Sequence, residues 1–198
     1  MKTDYLVVGS GVAGLTFALK MAEAFPNRHI LIITKSDRDE SNTKYAQGGI
    51  AVVTDLNEDS FKKHIEDTLI AGDGLCNQEI VDLVVREAPK RLKDLQNWGV
   101  QLDYNPEGQL DLGKEGGHSA NRIVHHKDVT GKEVELSLLE NVRRHANIAM
   151  LQHHFILDLI VKESESNQVT GAWVLDELNN EIIKVETGIC VLSAGGAG

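Results

Sequence analysis

The chain has 198 residues, of which 41% are hydrophobic and 25% charged, and a formal net charge of −10. That is an ordinary globular composition, long enough for one good core, so a single domain is the expectation before two small ones. Its scattered positive charges argue against nucleic acid or an acidic membrane as partner. Two distant cysteines, Cys76 and Cys190, and no apolar run of roughly 18 residues predict a soluble, cytoplasmic protein.

In chain order, Asp4 to Val8 reads as a strand buried on both faces, and Val12 to Glu23 carries apolar residues at helical spacing. After the Pro26-Asn27 break, His29 to Thr34 is a second β-branched run, which completes a βαβ unit. Residues 42–50 read as a loop in which Gly48-Gly49 follow an aromatic and an amide. Phe61, Ile65 and Leu69 predict a helix ending at Gly72. Val81, Val84, Ala88, Leu92 and Leu95 form the stripe of another, which Pro89 kinks or divides. Residues 100–120 carry no clear pattern. A third helix runs from Gly131 or Lys132 to His145, with Val134, Leu138 and Val142 on one face. Five strands follow, at 149–151, 156–161, 169–175, 182–185 and 189–193. The last runs into Ala194-Gly195-Gly196-Ala197-Gly198, a strand meeting a ligand loop, from which a fragment is expected.

Gly9-Ser10-Gly11-Val12-Ala13-Gly14 is a G-x-G-x-x-G after a strand and opening a helix, the context in which this pattern signals a dinucleotide site. Gly9 permits the tight turn, Gly11 a close approach of backbone to diphosphate, and Gly14 close helix-to-strand packing. The helix N-terminus then favours the anion. The acid that usually follows the second strand is replaced by Thr34-Lys35, which weakens a plain NAD reading. The Thr43 to Gly49 segment is either a bulged loop or a backbone surface against a flat ring. Glu115-Gly116-Gly117-His118-Ser119 is either a solvated turn or a reactive cluster. His125-His126 and His153-His154 invite a metal reading, but strand neighbours point to opposite faces, so no metal is expected. No nucleophile motif supports hydrolysis.

These segments, with His64 to Leu69, Arg122 to His125, Asp128 to Gly131 and Val191 to Gly196, are collinear and resemble the succinate dehydrogenase, fumarate reductase and L-aspartate oxidase group of flavoproteins. Asn42 stands where the first two kinds carry a histidine that bonds the flavin, so the sequence is most similar to the L-aspartate oxidase family. The resemblance implies an α/β fold: a doubly wound, Rossmann-like FAD-binding domain over residues 1–198, incomplete before a capping and a helical C-terminal domain. It implies non-covalent FAD, with Ser10, Gly11, Val12 and Ala13 holding the diphosphate, Gly9 and Gly14 beside them among the cofactor-binding residues, and Lys35 near the adenosine. Asn42, Thr43, Lys44, Tyr45, Ala46, Gln47, Gly48 and Gly49 would run along the flavin. A backbone group near Phe155 would meet adenine, and Gly195 the cofactor. Glu115 would orient the substrate, with Lys114 where the family has arginine, and the remaining catalytic residues would lie beyond Gly198.

The implied reaction is oxidation of L-aspartate to iminoaspartate with oxygen or fumarate as acceptor, upstream of quinolinate synthase in NAD biosynthesis. Two alternatives stand beside it. One is a soluble fumarate reductase or succinate-oxidising relative; the other is a non-catalytic FAD-binding module, suggested by the lack of a complete catalytic set in this stretch.

Overall fold

The computed structural model describes residues 1–163 and 167–196; the terminal Ala197-Gly198 of the expected ligand loop lies outside the described residues. The chain divides into two compact units, Met1–Tyr45 with Glu135–Gly198, and Ala46–Val134.

The first unit is built on a six-stranded sheet, ordered β6-β2-β1-β9-β8-β7. Its strands are β1 (Lys2–Val8), β2 (Ile30–Ile33), β6 (Ile148–Leu151), β7 (His154–Lys162), β8 (Gln168–Asp176) and β9 (Glu181–Leu192). Strands β6, β2, β1 and β9 run parallel, whereas β7, β8 and β9 form an antiparallel meander. Leu6, Val8, Leu31 and Ile33 pack with Ala172, Val174 and Val185 in one cluster. Val7, Ile30 and Ile32 are also buried, so both sets of alternate side chains are shielded and the strands read as unbroken apolar runs. Each such Leu, Ile or Val contributes about 1.5–3 kcal/mol by leaving water.

Between β1 and β2 lies α1 (Val12–Ala24), which buries Leu15, Ala18, Leu19 and Ala22 at i, i+3, i+4 and i+7. It ends just before Pro26, whose ring cannot continue a helix. The two strands expected at 182–185 and 189–193 are one strand, β9, carried through Gly188 by its ladder with β1. Propensity weakens a strand at glycine, and the ladder with β1 on either side of Gly188 in the chain overrides it.

The second unit holds β3 (Ile50–Ala51), β4 (Leu112–Gly113) and β5 (Ile123–Val124) in a small sheet ordered β3-β5-β4. Helix α3 (Phe61–Ala71) starts at Ser60, whose hydroxyl accepts from the Lys63 N–H, and stops at Gly72 as expected. Helix α4 (Gln78–Asn97) is capped by Asn77 and runs unbroken through Pro89. Its buried residues are Val85 and Leu92, while Val84 of the predicted stripe is 59% exposed. Helix α5 (Thr130–Arg144), which from Glu135 onward belongs to the first unit, matches the expected span and buries Val134, Leu138 and Val142. The segment expected to be loop at 42–50 instead contains a helical turn, α2 (Asn42–Tyr45), and the start of β3.

Candidate functional site

In the first unit, β1 lies between β2, reached through α1, and β9, which arrives from the far end of the chain. The direction of winding changes there, and in open α/β sheets ligands bind outside the carboxyl ends of strands at such a point. A cavity of about 660 Å³ opens at that place. The turn after β1, the end of β2, α2 and the loop after β9 all contribute walls. Its size is within the range of small-molecule sites.

The glycines divide the work. Gly9 has φ +108° and a Cβ there would collide with the Ser193 carbonyl, so the turn admits only glycine. Gly14 lies against the Gly9 carbonyl and the Ser193 hydroxyl, which sets the close approach of α1 to β1. Gly11 differs: a Cβ there would meet Thr43 Oγ1 at 3.4 Å and Ser41 Cβ at 3.8 Å, so its hydrogen face looks across to the α2 segment. Gly11 also caps α1 without any side-chain bond, and the Val12 N–H donates to Thr43 Oγ1 at 3.1 Å. Ser10 is buried and its hydroxyl donates to Thr34 Oγ1 at 3.1 Å, tying the turn to the end of β2. The Ser193 hydroxyl donates to the Val8 carbonyl at 2.8 Å and holds the β9 loop beside β1. A backbone turn without side chains at a helix N-terminus suits a diphosphate.

Of the residues expected around a cofactor, Gly9, Ser10, Gly11, Val12, Ala13, Lys35, Asn42, Thr43, Tyr45, Phe155 and Gly195 line this cavity. Gly14 lies behind it as a packing glycine. Lys44 is paired with Asp39 at 2.9 Å and Glu40 at 3.6 Å, which raises its pKa through the Asp39 hydrogen bond and lowers that of Asp39 in turn. The Tyr45 hydroxyl donates to Glu40 at 2.6 Å, and that bond holds its pKa above the ordinary value. Sequence reading did not single out Ser41, Glu40, His154 or Ser193 as cavity-lining residues, and the structure puts all four on the wall. Ser41 carries a signal in sequence, since it directly precedes Asn42, whereas His154 reads there only as a candidate metal ligand.

Ala46, Gln47, Gly48 and Gly49 belong to the second unit. Gly49 is required there because a Cβ would strike Ile123 and the Val124 carbonyl, so it serves the β3–β5 approach. Gly48 faces Glu115, whose Oε1 stands 3.5 Å from the position of a Cβ. The exposed Glu115 is thus brought beside the Gly48-Gly49 pair from 67 positions away in the chain.

The loop that carries Glu115 is held by a buried ion cluster. The Arg122 guanidinium is fully buried and donates to both oxygens of Asp59, at 2.7 and 2.8 Å, and to Asp67 at 2.6 Å. Asp67 also accepts from the Ser119 N–H and hydroxyl at 2.7 and 2.8 Å. Burial alone would raise the Asp67 carboxyl, but these three partners outweigh it and hold its pKa at about 2. His64, buried and 6.2 Å from the His118 ring, has its pKa lowered by burial and then by the Arg122 charge.

His125 and His126 fall outside any strand, so the alternation expected of them does not apply. Both reach Asp103, with Nδ1 of His125 at 3.2 Å and Nδ1 of His126 at 3.6 Å. His153 has φ +56° and precedes β7. Among the described residues no group of three or more ligands could hold a metal, and no helix is long and apolar enough to cross a membrane.

Over residues 4–198 the sequence matches the FAD binding domain family. It is 43% identical to a chloroplastic L-aspartate oxidase of Arabidopsis thaliana over 196 residues, 98% of this chain and 30% of that protein. With the L-aspartate oxidase of Vibrio cholerae it shares 38% over 202 residues, 98% of this chain and 37% of the other. The quinol fumarate reductase of E. coli superposes with a TM-score of 0.92 at 31% identity, over 100% of this chain and 33% of that one. The chain spans about a third of the length of the curated relatives it matches.

Proposed function

Because the chain belongs to the FAD binding domain family and has FAD as its cofactor, we propose that it is the cofactor-holding part of an oxidoreductase that converts L-aspartate to iminoaspartate. The observation that carries the reading is the cavity at the winding switch, with Gly11 and the N-terminus of α1 at one wall. The identity to L-aspartate oxidases along nearly the whole chain supports the substrate.

Residues Ser10 to Ala13 hold the diphosphate, with Gly9 and Gly14 shaping the turn behind it, and Lys35 with the backbone near Phe155 takes the adenosine end. Asn42 to Tyr45 and Gly195 serve the flavin end. Asn42 offers an amide where a covalent attachment needs an imidazole, which supports non-covalent binding. Bound FAD supplies two-electron acceptance, while the protein provides position and field. Glu115, an exposed carboxylate beside two glycines, attracts the ammonium group of an amino acid and orients its Cα. The Arg122 cluster keeps that loop in place.

Oxygen or fumarate as acceptor, a place upstream of quinolinate synthase and a cytoplasmic setting belong to the same proposal. The protein at its full natural length, mixed anaerobically with L-aspartate or with succinate, tests it. Bleaching of the flavin by L-aspartate is expected. Bleaching by succinate alone would replace the reading with a succinate-oxidising or fumarate-reducing relative, and no bleaching by either would leave a binding module.

A further inference from the structure

Glu135, in the second turn of α5, is fully buried, and neither of its carboxyl oxygens closes a hydrogen bond of good geometry. A buried acid without partners is costly in its charged form. Burial accordingly pushes its pKa up to about 7, with the Asp39 carboxylate adding to the rise. The Ser41 hydroxyl and the Lys44 ammonium act the other way, the former near enough to be felt without completing a well-aligned bond. Lys44 is already paired with Asp39 and Glu40. Little of its charge is left for Glu135.

Ser41 has a second neighbour. Its Cβ and Oγ stand 3.8 and 4.0 Å from the point where a side chain on Gly11 would begin, and it lines the cavity. The Lys44 N–H donates to the same Oγ at 3.4 Å. The Ser41 hydroxyl is thus a neighbour both of the buried acid, whose ionisation it favours, and of the turn read above as the diphosphate seat.

We propose that Glu135 is a positioning residue for the cofactor: as a neutral acid it donates its proton to Ser41 Oγ and so directs the Ser41 O–H toward the diphosphate at Gly11. An ionised Glu135 can only accept. It would draw the Ser41 proton to itself, turn the oxygen lone pairs toward the phosphates and add a negative charge behind them. FAD binding then weakens as pH rises through the titration of this acid, because the proton is held more tightly in the complex than in the free protein. Asp39 and Lys44 are the charged groups facing Glu135 from the α2 side, with Glu40 acting through Lys44, and the first turn of α1 brings no ionisable side chain. This inference rests on the FAD reading of the cavity.

Its test is FAD affinity, by quenching of flavin fluorescence on adding purified apoprotein, between about pH 6 and about pH 8. Wild type, Glu135→Gln, Glu135→Ala and Ser41→Ala are compared, each checked for folding by circular dichroism. Relative to Glu135→Gln, whose amide still donates, wild-type affinity should fall about tenfold across that range. Glu135→Gln should bind within about threefold of wild type at the acid end, and Ser41→Ala should lose the extra pH dependence. His154 also lines the cavity and is ionisable, but it is common to all four proteins and cancels in the comparison. A Glu135→Gln profile parallel to wild type, or one as weak as Glu135→Ala at every pH, overturns the role of Glu135 while leaving the FAD reading intact. Absence of FAD binding by wild type at every pH overturns both.

Discussion

The two units solve the problem of holding reactive geometry by opposite means. In the first, the cavity is shaped by backbone: glycines at 9, 11 and 14 remove side chains so that a turn, a helix end and a strand loop can crowd together. In the second, the loop bearing Glu115 is shaped by buried charge, with Arg122, Asp59, Asp67 and Ser119 locked in one network. A backbone device fails by steric collision and a charge device by desolvation. Their sensitivities to mutation and to pH should therefore differ.

The largest expected effect is in the charge network. Arg122→Ala leaves Asp59 buried without its partner and should cost about 3–5 kcal/mol in urea unfolding. Arg122→Lys should recover only part of that, since an ammonium cannot bridge both oxygens of Asp59 and reach Asp67 as a planar fork does. A loss below about 1 kcal/mol would show that the network is not what orders the second unit.

Next comes the cradle. Gly9→Ala meets both a positive φ and the Ser193 carbonyl, and should destabilise the fold by about 1–3 kcal/mol. Gly11→Ala has room to fold, because the nearest neighbours of a Cβ there are side-chain atoms at 3.4 Å or more. It should weaken FAD binding by about 2 kcal/mol, roughly thirtyfold, by keeping the diphosphate off the backbone. Calorimetric binding beside a thermal melt separates the two outcomes, and equal losses of stability in both variants would contradict the division of roles.

The units should also answer pH in opposite directions. Asp67 titrates near 2, below its ordinary 3.8, so the stability it contributes is full above pH 3.8 and is lost as pH falls toward 2. Glu135 titrates near 7 against an ordinary 4.5, so its burden on stability grows as pH rises from 4.5 to about 7 and then stays constant. Glu135→Gln should thus stabilise the protein by about 1–2 kcal/mol at neutral pH and do nothing at acid pH. Urea titrations at several pH values would read both slopes, and a Glu135→Gln effect independent of pH would remove the contrast.

The smallest structural effect is expected at Glu115. Glu115→Gln should change stability by less than about 0.5 kcal/mol because the side chain is exposed. In the full-length protein it should raise KM for L-aspartate and leave FAD affinity unchanged; a fall in FAD affinity instead would put Glu115 in the cofactor site.

Local pattern carried much of this protein. The glycine fingerprint, the apolar strands on either side of α1 and the stop at Gly72 are short-range features, and each is dictated by sterics or hydrogen bonding within a few residues. Asn42 and Glu115 are singled out by the resemblance rather than by such local physics. What the chain order hides is which distant segments meet. Only the folded sheet places β9 beside β1 and so puts Ser193 against Gly9; only the second unit's packing gathers Asp59, Asp67 and Ser119 around Arg122. The pairing of His125 and His126 on Asp103, the unbroken run of α4 through Pro89 and the isolation of Glu135 were likewise settled by tertiary packing. Burial and long-range pairing set the energy of a charge or a proline more strongly than its sequence neighbours do, and those terms exist only once the chain has closed on itself.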